Sequence, residues 1–219
     1  MSRVHPRLFL ALLTSAVVLL VVLVVLAFAQ PTTVSLEDGV QAKSSPYRGL
    51  ARDGGSTLLP SPSFSLRDQD GKRRSIEQLR GRPAIVTFLY TSCEDTCPAI
   101  ARQVSQALDA VKGPVSTLIV SVDPKNDDAE AAQRYLNKMD LRGRASYLLG
   151  TRRELAPVWD AYAIQPQGEA FDHSAYVLVL DHQGRQRVSW PADKLTSDGL
   201  AHDVNVVARL PRTDTAAIE

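Results

Sequence analysis

Cysteine is nearly absent from this chain, with two thiols in 219 residues, too few for the disulfide framework that holds small secreted domains together. An excess of charge of one sign is missing too. The 25 basic and 24 acidic residues leave a formal net charge of +1, and setting aside Arg3 and Arg7 leaves the remainder close to neutral. That excludes the electrostatic footprint of a nucleic-acid binder and disfavours anionic polymers or lipid surfaces as partners. Histidine is scarce, at four residues, and no second Cys or His pair stands at finger spacing, as a structural zinc site would require. Internal repeats are lacking. What remains, 44% hydrophobic and 22% charged residues, is the composition of one ordinary globular domain with extras.

The longest apolar run is Leu8 to Ala29, about 22 residues that at ~1.5 Å each span roughly 30 Å of hydrocarbon, the length of one membrane helix. Arg3, His5 and Arg7 precede it and no charge follows until Glu37, so the positive-inside rule leaves the N-terminus in the cytoplasm and exports the rest. Ala27-Phe28-Ala29 has the small-x-small form of a signal-peptidase site, but the run exceeds a usual signal core, which favours a retained anchor. The expected organisation is a cytoplasmic stub and membrane anchor over 1–30, a flexible tether over 31–60, a folded domain over 61–211 and a tail over 212–219. The protein is expected to be single-pass in the cytoplasmic (inner) membrane, with its domain on the periplasmic side.

Within 31–60, Thr, Ser, Gly and Pro follow neither a helical nor a strand period. Phe64–Arg67 and Arg74–Ile76 read as two strands around the turn Asp68-Gln69-Asp70-Gly71. Ala84–Tyr90, apolar almost throughout and rich in β-branched residues, reads as a buried central strand. Pro98 permits a helix start, and Ile100, Val104, Ala107, Leu108 and Val111 supply its apolar stripe. A strand over Val115–Val122 leads to a helix capped by Asp127 or Asp128. Thr151 with Glu154 forms a capping box for a helix ending near Tyr162. Ala175–Leu180 and Gln186–Trp190 flank a hairpin turn at His182-Gln183-Gly184-Arg185, and a last helix covers about Thr196–Leu210. Alternating strands and helices with a hairpin at each end predict an α/β domain of thioredoxin type, a mixed sheet flanked by helices.

Cys93 and Cys97 stand four positions apart where the central strand runs into its helix. One helical turn separates such Cα atoms by about 6 Å, so the thiols can bond each other or share one ion. Pro98 puts the Cys97 sulfur at the helix N-terminus, where unpaired N–H groups and the macrodipole favour a thiolate, so Cys97 is the expected primed sulfur. Glu94 and Asp95 push against ionisation. A fixed structural disulfide is the plainer alternative, but so short a loop gains little stability from closure.

Thiolates are soft donors that select Cu(I), zinc or iron–sulfur clusters, and imidazole suits copper in either oxidation state and zinc. A Cys2His set fits copper. His5 and His182 are expected to face solvent, and His202 to lie on the surface of the last helix. His173, in Phe171-Asp172-His173-Ser174, sits in a loop before a buried strand, where sites are commonly built. The residues alone leave open whether that end of the sheet faces the cysteines.

Phe88-Leu89-Tyr90-Thr91-Ser92-Cys93 with Cys97-Pro98, then Ser121-Val122-Asp123-Pro124, then Asp172-His173-Ser174 followed by Leu180-Asp181 and Gly184, stand in the order of a known pattern. Over about Pro62–Leu210 the chain resembles the Sco/SenC family of copper-binding assembly factors for cytochrome c oxidase. The resemblance implies a thioredoxin-like copper-binding domain with Cys93, Cys97 and His173 as metal ligands, the cofactor being copper as Cu(I) and, through the imidazole, Cu(II). It implies a metallochaperone delivering towards the oxidase copper-site subunit, or exchanging with another copper chaperone, alongside a thiol reductant. Many relatives have proline then aspartate after the first cysteine; here Glu94 takes the proline position and Asp95 keeps the acid.

The alternative function is a thiol–disulfide reductase acting on exported cysteines with Cys93 and Cys97 as catalytic pair and no stored metal. Thr91 before Cys93 also resembles peroxidase loops, but Glu94 and Asp95 supply negative charge where a peroxide-reducing thiol needs positive.

Overall fold

The computed structural model describes residues 19–20, 45–51, 64–164, 166 and 176–211. The strands are β1 (Leu50–Ala51), β2 (Ser65–Asp68), β3 (Arg73–Ser75), β4 (Ala84–Leu89), β5 (Ser116–Ser121), β6 (Ser146–Leu149), β7 (Tyr176–Leu180) and β8 (Gln186–Pro191). The α-helices within residues 45–211 that are described are α1 (Thr96–Ala110), α2 (Ala129–Lys138), α3 (Arg152–Ala161) and α4 (Ser197–Ala208). One sheet runs in the order β1-β8-β7-β4-β5-β6-β2-β3. β4, β5 and β6 are parallel, while β7 lies antiparallel to β4. This is the mixed α/β sheet that the two hairpins predict.

All six side chains of β4 are buried, as a strand covered on both faces requires. On one face Ile85 and Ile119 pack with Ile100 and Val104 of α1, Tyr135 and Leu136 of α2, and Leu200 and Val204 of α4. Val86, Phe88 and Val120 meet Leu155 and Trp159 of α3 on the other. β4 is therefore a rigid rail, and its C-terminal end delivers the cysteine loop.

The two hairpins share one device. Asp68 and Asp181 each precede a glycine by three positions, Gly71 at φ 75° and Gly184 at φ 77°, a conformation that costs a Cβ-bearing residue energy. Oδ1 of Asp68 accepts the Asp70 and Lys72 N–H groups at 3.0 and 2.9 Å, and Oδ1 of Asp181 accepts those of Gln183 and Arg185, both at 2.9 Å. An arginine six positions on closes each turn: Arg74 Nε lies 2.8 Å from Asp68 and Arg187 Nε 2.7 Å from Asp181. At α3, Thr151 and Glu154 make the expected capping box, and Pro157 is accommodated inside the helix.

The structure refines or departs from the sequence reading at four points. Asp128, not Asp127, caps α2, accepting the Ala131 N–H at 2.7 Å. β6 is a strand that the sequence pattern did not reveal. Within the expected tether, β1 pairs antiparallel with β8, because the buried Asp203 carboxylate of α4 accepts the N–H groups of Arg48 and Gly49, each at 2.8 Å. Gly49 fits there because a Cβ would lie 2.6 Å from Val188 and Trp190. His182 is buried, not solvent-facing: its Nε2 lies 3.1 Å from the Ala208 carbonyl at the end of α4. Among the described residues no helix is long and apolar enough to cross a membrane; of the expected anchor, Leu8–Ala29, they include Leu19 and Leu20, both helical.

Candidate functional site

β4 ends at Leu89 and the chain turns through Tyr90–Asp95 into α1, whose second residue is Cys97. The turn closes with Cys93 N–H on the Tyr90 carbonyl at 3.4 Å. A helix start leaves N–H groups without helical partners, and an Asp at the N-cap ordinarily supplies an oxygen. Asp95 occupies the N-cap with no side-chain bond. Instead the Cys97 N–H donates to Sγ of Cys93 at 3.2 Å: sulfur substitutes for the capping oxygen.

This arrangement reverses the expected order of acidity. Cys93 is half-buried, which alone would disfavour its anion. Hydrogen bonds from the Cys97 thiol, the Cys97 and Asp95 N–H groups and the Tyr90 hydroxyl outweigh that burial, so its thiol titrates below the usual range. Cys97 is fully buried; burial first, then its bond to Cys93, pushes its thiol well above the usual range. The helix terminus that was expected to prime Cys97 acts on Cys93, because the Cys97 side chain points into the core while its N–H points out at the neighbouring sulfur. Glu94 and Asp95 are exposed, and the Asp95 backbone supports the thiolate its carboxylate was expected to oppose. Tyr90 is pushed up to about 12, by burial and then by its bond to Cys93, so it remains a donor to the sulfur.

Beneath the loop sits a residue that sequence reasoning considered only as a cap. The Asp127 carboxylate accepts the Thr91 N–H at 2.8 Å and the Thr91 hydroxyl at 2.6 Å on Oδ1. On Oδ2 it meets the Ser121 hydroxyl at 2.5 Å and the Tyr147 hydroxyl at 3.1 Å. Burial raises the Asp127 pKa against these bonds. Ser121 Oγ in turn accepts the Asp123 N–H at 3.2 Å, and its carbonyl takes the Trp159 indole N–H at 2.9 Å. The Ser121-Val122-Asp123-Pro124 stretch thus carries the strut that ties the cysteine loop to β5 and β6.

His173 lies outside the described residues. The register of β7 nevertheless answers the question left open by the sequence: Val177 faces Thr87, and the Thr87 hydroxyl donates to the Tyr176 carbonyl at 3.0 Å. The chain therefore enters β7 at the end of the sheet where β4 delivers the cysteines. Among the described residues no three His, Cys, Asp or Glu side chains form a metal-sized cluster. Cys93 and Cys97 are two soft sulfur donors on one turn. His202, on α4, instead contacts Asp203 at 3.0 Å.

A mixed sheet between helix layers, with a Cys pair where a central strand becomes a helix, defines a thioredoxin-like thiol protein. A family model described as SCO1/SenC matches residues 54–209. The chain belongs to that family. It is 31% identical over 134 residues to the human mitochondrial protein SCO2 homolog, covering 55% of this chain and 50% of that one. An SCO2-like protein of Rickettsia prowazekii is 25% identical over 134 residues, covering 56% of this chain and 64% of its own. The chain thus spans between about half and two thirds of these relatives' length. Among solved structures, Bradyrhizobium japonicum ScoI with copper bound superposes with a TM-score of 0.59 at 28% identity, covering 68% of this chain and 99% of that one.

Proposed function

We propose that this protein is a membrane-anchored copper chaperone. Cys93, Cys97 and His173 hold the ion, and the acceptor is the copper-site subunit of cytochrome c oxidase or another copper chaperone. The observation that carries this reading is the pair itself, two sulfurs on one helical turn with divided acidity, in a chain 28% identical to a ScoI structure with copper bound. BsSco, whose structure this fold also matches, is a member of the Sco family of cytochrome c oxidase assembly proteins. Three residues span at most about 10 Å, so the start of β7 leaves His173 within reach of the cysteine end of the sheet. The anchor is Leu8–Ala29, with 61–211 exported to the periplasmic side, 31–60 linking the two and 212–219 a tail.

Copper is cargo here. Cys93, the more acidic and partly exposed of the two thiols, is the entering donor. Cys97 gives up its proton to solvent as the second sulfur binds, since thiolates, not thiols, ligate. Few ligands leave the ion open to an acceptor's thiolates by stepwise exchange. Tyr90 and the Asp127 strut hold Cys93 oriented throughout.

The test is Cu(I) competition against a chromophoric chelator with the reduced full-length chain in detergent. One ion per chain, lost in Cys97→Ala and weakened in His173→Ala, is expected. No competition by the wild type would instead favour thiol–disulfide exchange. A half-buried thiol of lowered pKa beside a buried one of raised pKa also suits that reaction as nucleophile and resolving group.

A further inference from the structure

Beside Cys93 opens a groove of about 460 Å³, within the size range of sites that take small ligands. Thr91, Ser92 and Cys93 form one wall, and Pro98, Tyr135 and Met139, all buried, contribute to its lining. Arg134 and Lys138, one turn apart on α2 and exposed, are the charged residues that line it among the described residues, which contribute no carboxylate to the lining. Arg134 pairs with Glu130 across one exposed turn of α2, a contact of little strength, and Lys138 has no ion-pair partner among the described residues. Glu94 and Asp95, the acids next to Cys93, are exposed and not part of the lining. Among the described residues the charge around the sulfur is therefore divided, positive along the groove and negative in the loop.

We infer that this groove is the docking strip for an extended segment of an exported partner protein, one that presents a cysteine to Cys93 and acidic side chains to Arg134 and Lys138. The spacing fits. Four helical residues advance about 6 Å, and alternate residues of an extended strand are about 6.6 Å apart. Two acids at i and i+2 of the partner thus meet the two cations from one face. The loop acids repel the same segment if it docks the other way round, which sets its direction.

The inference rests on the chaperone reading for the partner's cysteine, but its test does not use copper. Eight-residue peptides, each with one cysteine as a mixed disulfide with an aromatic thiol, would carry acidic, neutral or basic flanks. In each reaction the Cys93 thiolate of the reduced full-length chain attacks the peptide sulfur and expels the aromatic thiolate, whose absorbance gives the rate. At low salt the acidic peptide should react about tenfold faster than the neutral one and the basic peptide slower, the differences collapsing at high salt. The double substitution Arg134→Gln, Lys138→Gln should abolish the acidic preference, while Arg153→Gln, on α3, keeps it. Equal rates for the three wild-type reactions, or a preference that survives the double substitution, overturns the inference. Copper competition judges the chaperone reading separately, so either can fail alone.

Discussion

The Thr91 hydroxyl lies 2.6 Å from Asp127 Oδ1 and its N–H 2.8 Å from the same oxygen, so one carboxylate fixes the backbone two residues before the sulfur that caps α1. Asp127 lies outside the cysteine motif, yet it anchors a loop that must leave a buried strand and present a half-exposed thiol.

Asp127→Ala leaves the Thr91 N–H and the Ser121 hydroxyl short of a partner, and should destabilise the protein by roughly 3 kcal/mol. Asp127→Asn keeps an acceptor for Thr91 and should cost about 1 kcal/mol or less. Denaturant midpoints of the two variants test this; equal losses would contradict the strut.

Cys93 and Cys97 should alkylate in separate pH windows. The Cys93 thiol is held below the usual range, so its reactivity with iodoacetamide should reach half its plateau below about pH 8.5, the ordinary thiol value. Cys97, buried and raised, should remain protected throughout. Peptide mapping of the alkylated chain distinguishes the two sites. Linkage runs the same way: the folded state releases the Cys93 proton at lower pH than the unfolded chain. Its contribution to stability is present above the unfolded value and is lost as pH falls through the folded one.

Copper affinity should depend on pH through Cys97. Between the lowered Cys93 value and the raised Cys97 value, binding of one Cu(I) displaces one thiol proton, so the logarithm of the affinity should rise by about one for each pH unit. A flat profile would mean that the buried sulfur is not a ligand. His173→Ala should weaken Cu(II) binding more than Cu(I), because imidazole suits both oxidation states and thiolate prefers the lower; unchanged Cu(II) spectra would remove His173 from the set.

Asp203 should anchor the chain that precedes the domain. It accepts the N–H groups of Arg48 and Gly49 and the Trp190 indole N–H, the last at 3.1 Å. Asp203→Ala should cost about 2 kcal/mol through the buried Trp190 indole N–H and the part-buried Arg48 and Gly49 N–H groups left unpaired, and Gly49→Ala should detach β1 by steric conflict with Trp190. Limited proteolysis near residue 50 should accelerate in both variants; a wild-type cleavage rate in either would show that β1 is held by other contacts.

Much of this architecture was legible in the chain because it rests on local chemistry. The apolar β-branched run of β4, the Asp-to-Gly turns of both hairpins and the Thr151–Glu154 capping box are each specified within a few residues. Three spaced motifs were enough to reveal the family. The position and type of the cysteine pair were equally plain.

What the sequence by itself determined was therefore which groups stand together along the chain: two thiols one turn apart at a strand end, and a family pattern around them. Tertiary structure alone decided which thiol ionises, since that depends on Cys97 turning into the core while its N–H reaches Cys93. It likewise decided between Asp127 and Asp128, adjacent and chemically identical, by burying one against Thr91, Ser121 and Tyr147 and leaving the other at a helix start. β6 has no hairpin turn beside it to announce it and exists through β5 and β2, and His182 is buried because α4 ends over its hairpin. Burial and partner geometry are set by residues distant in sequence, and they, rather than residue type, fix the acidity on which the chemistry of Cys93 depends.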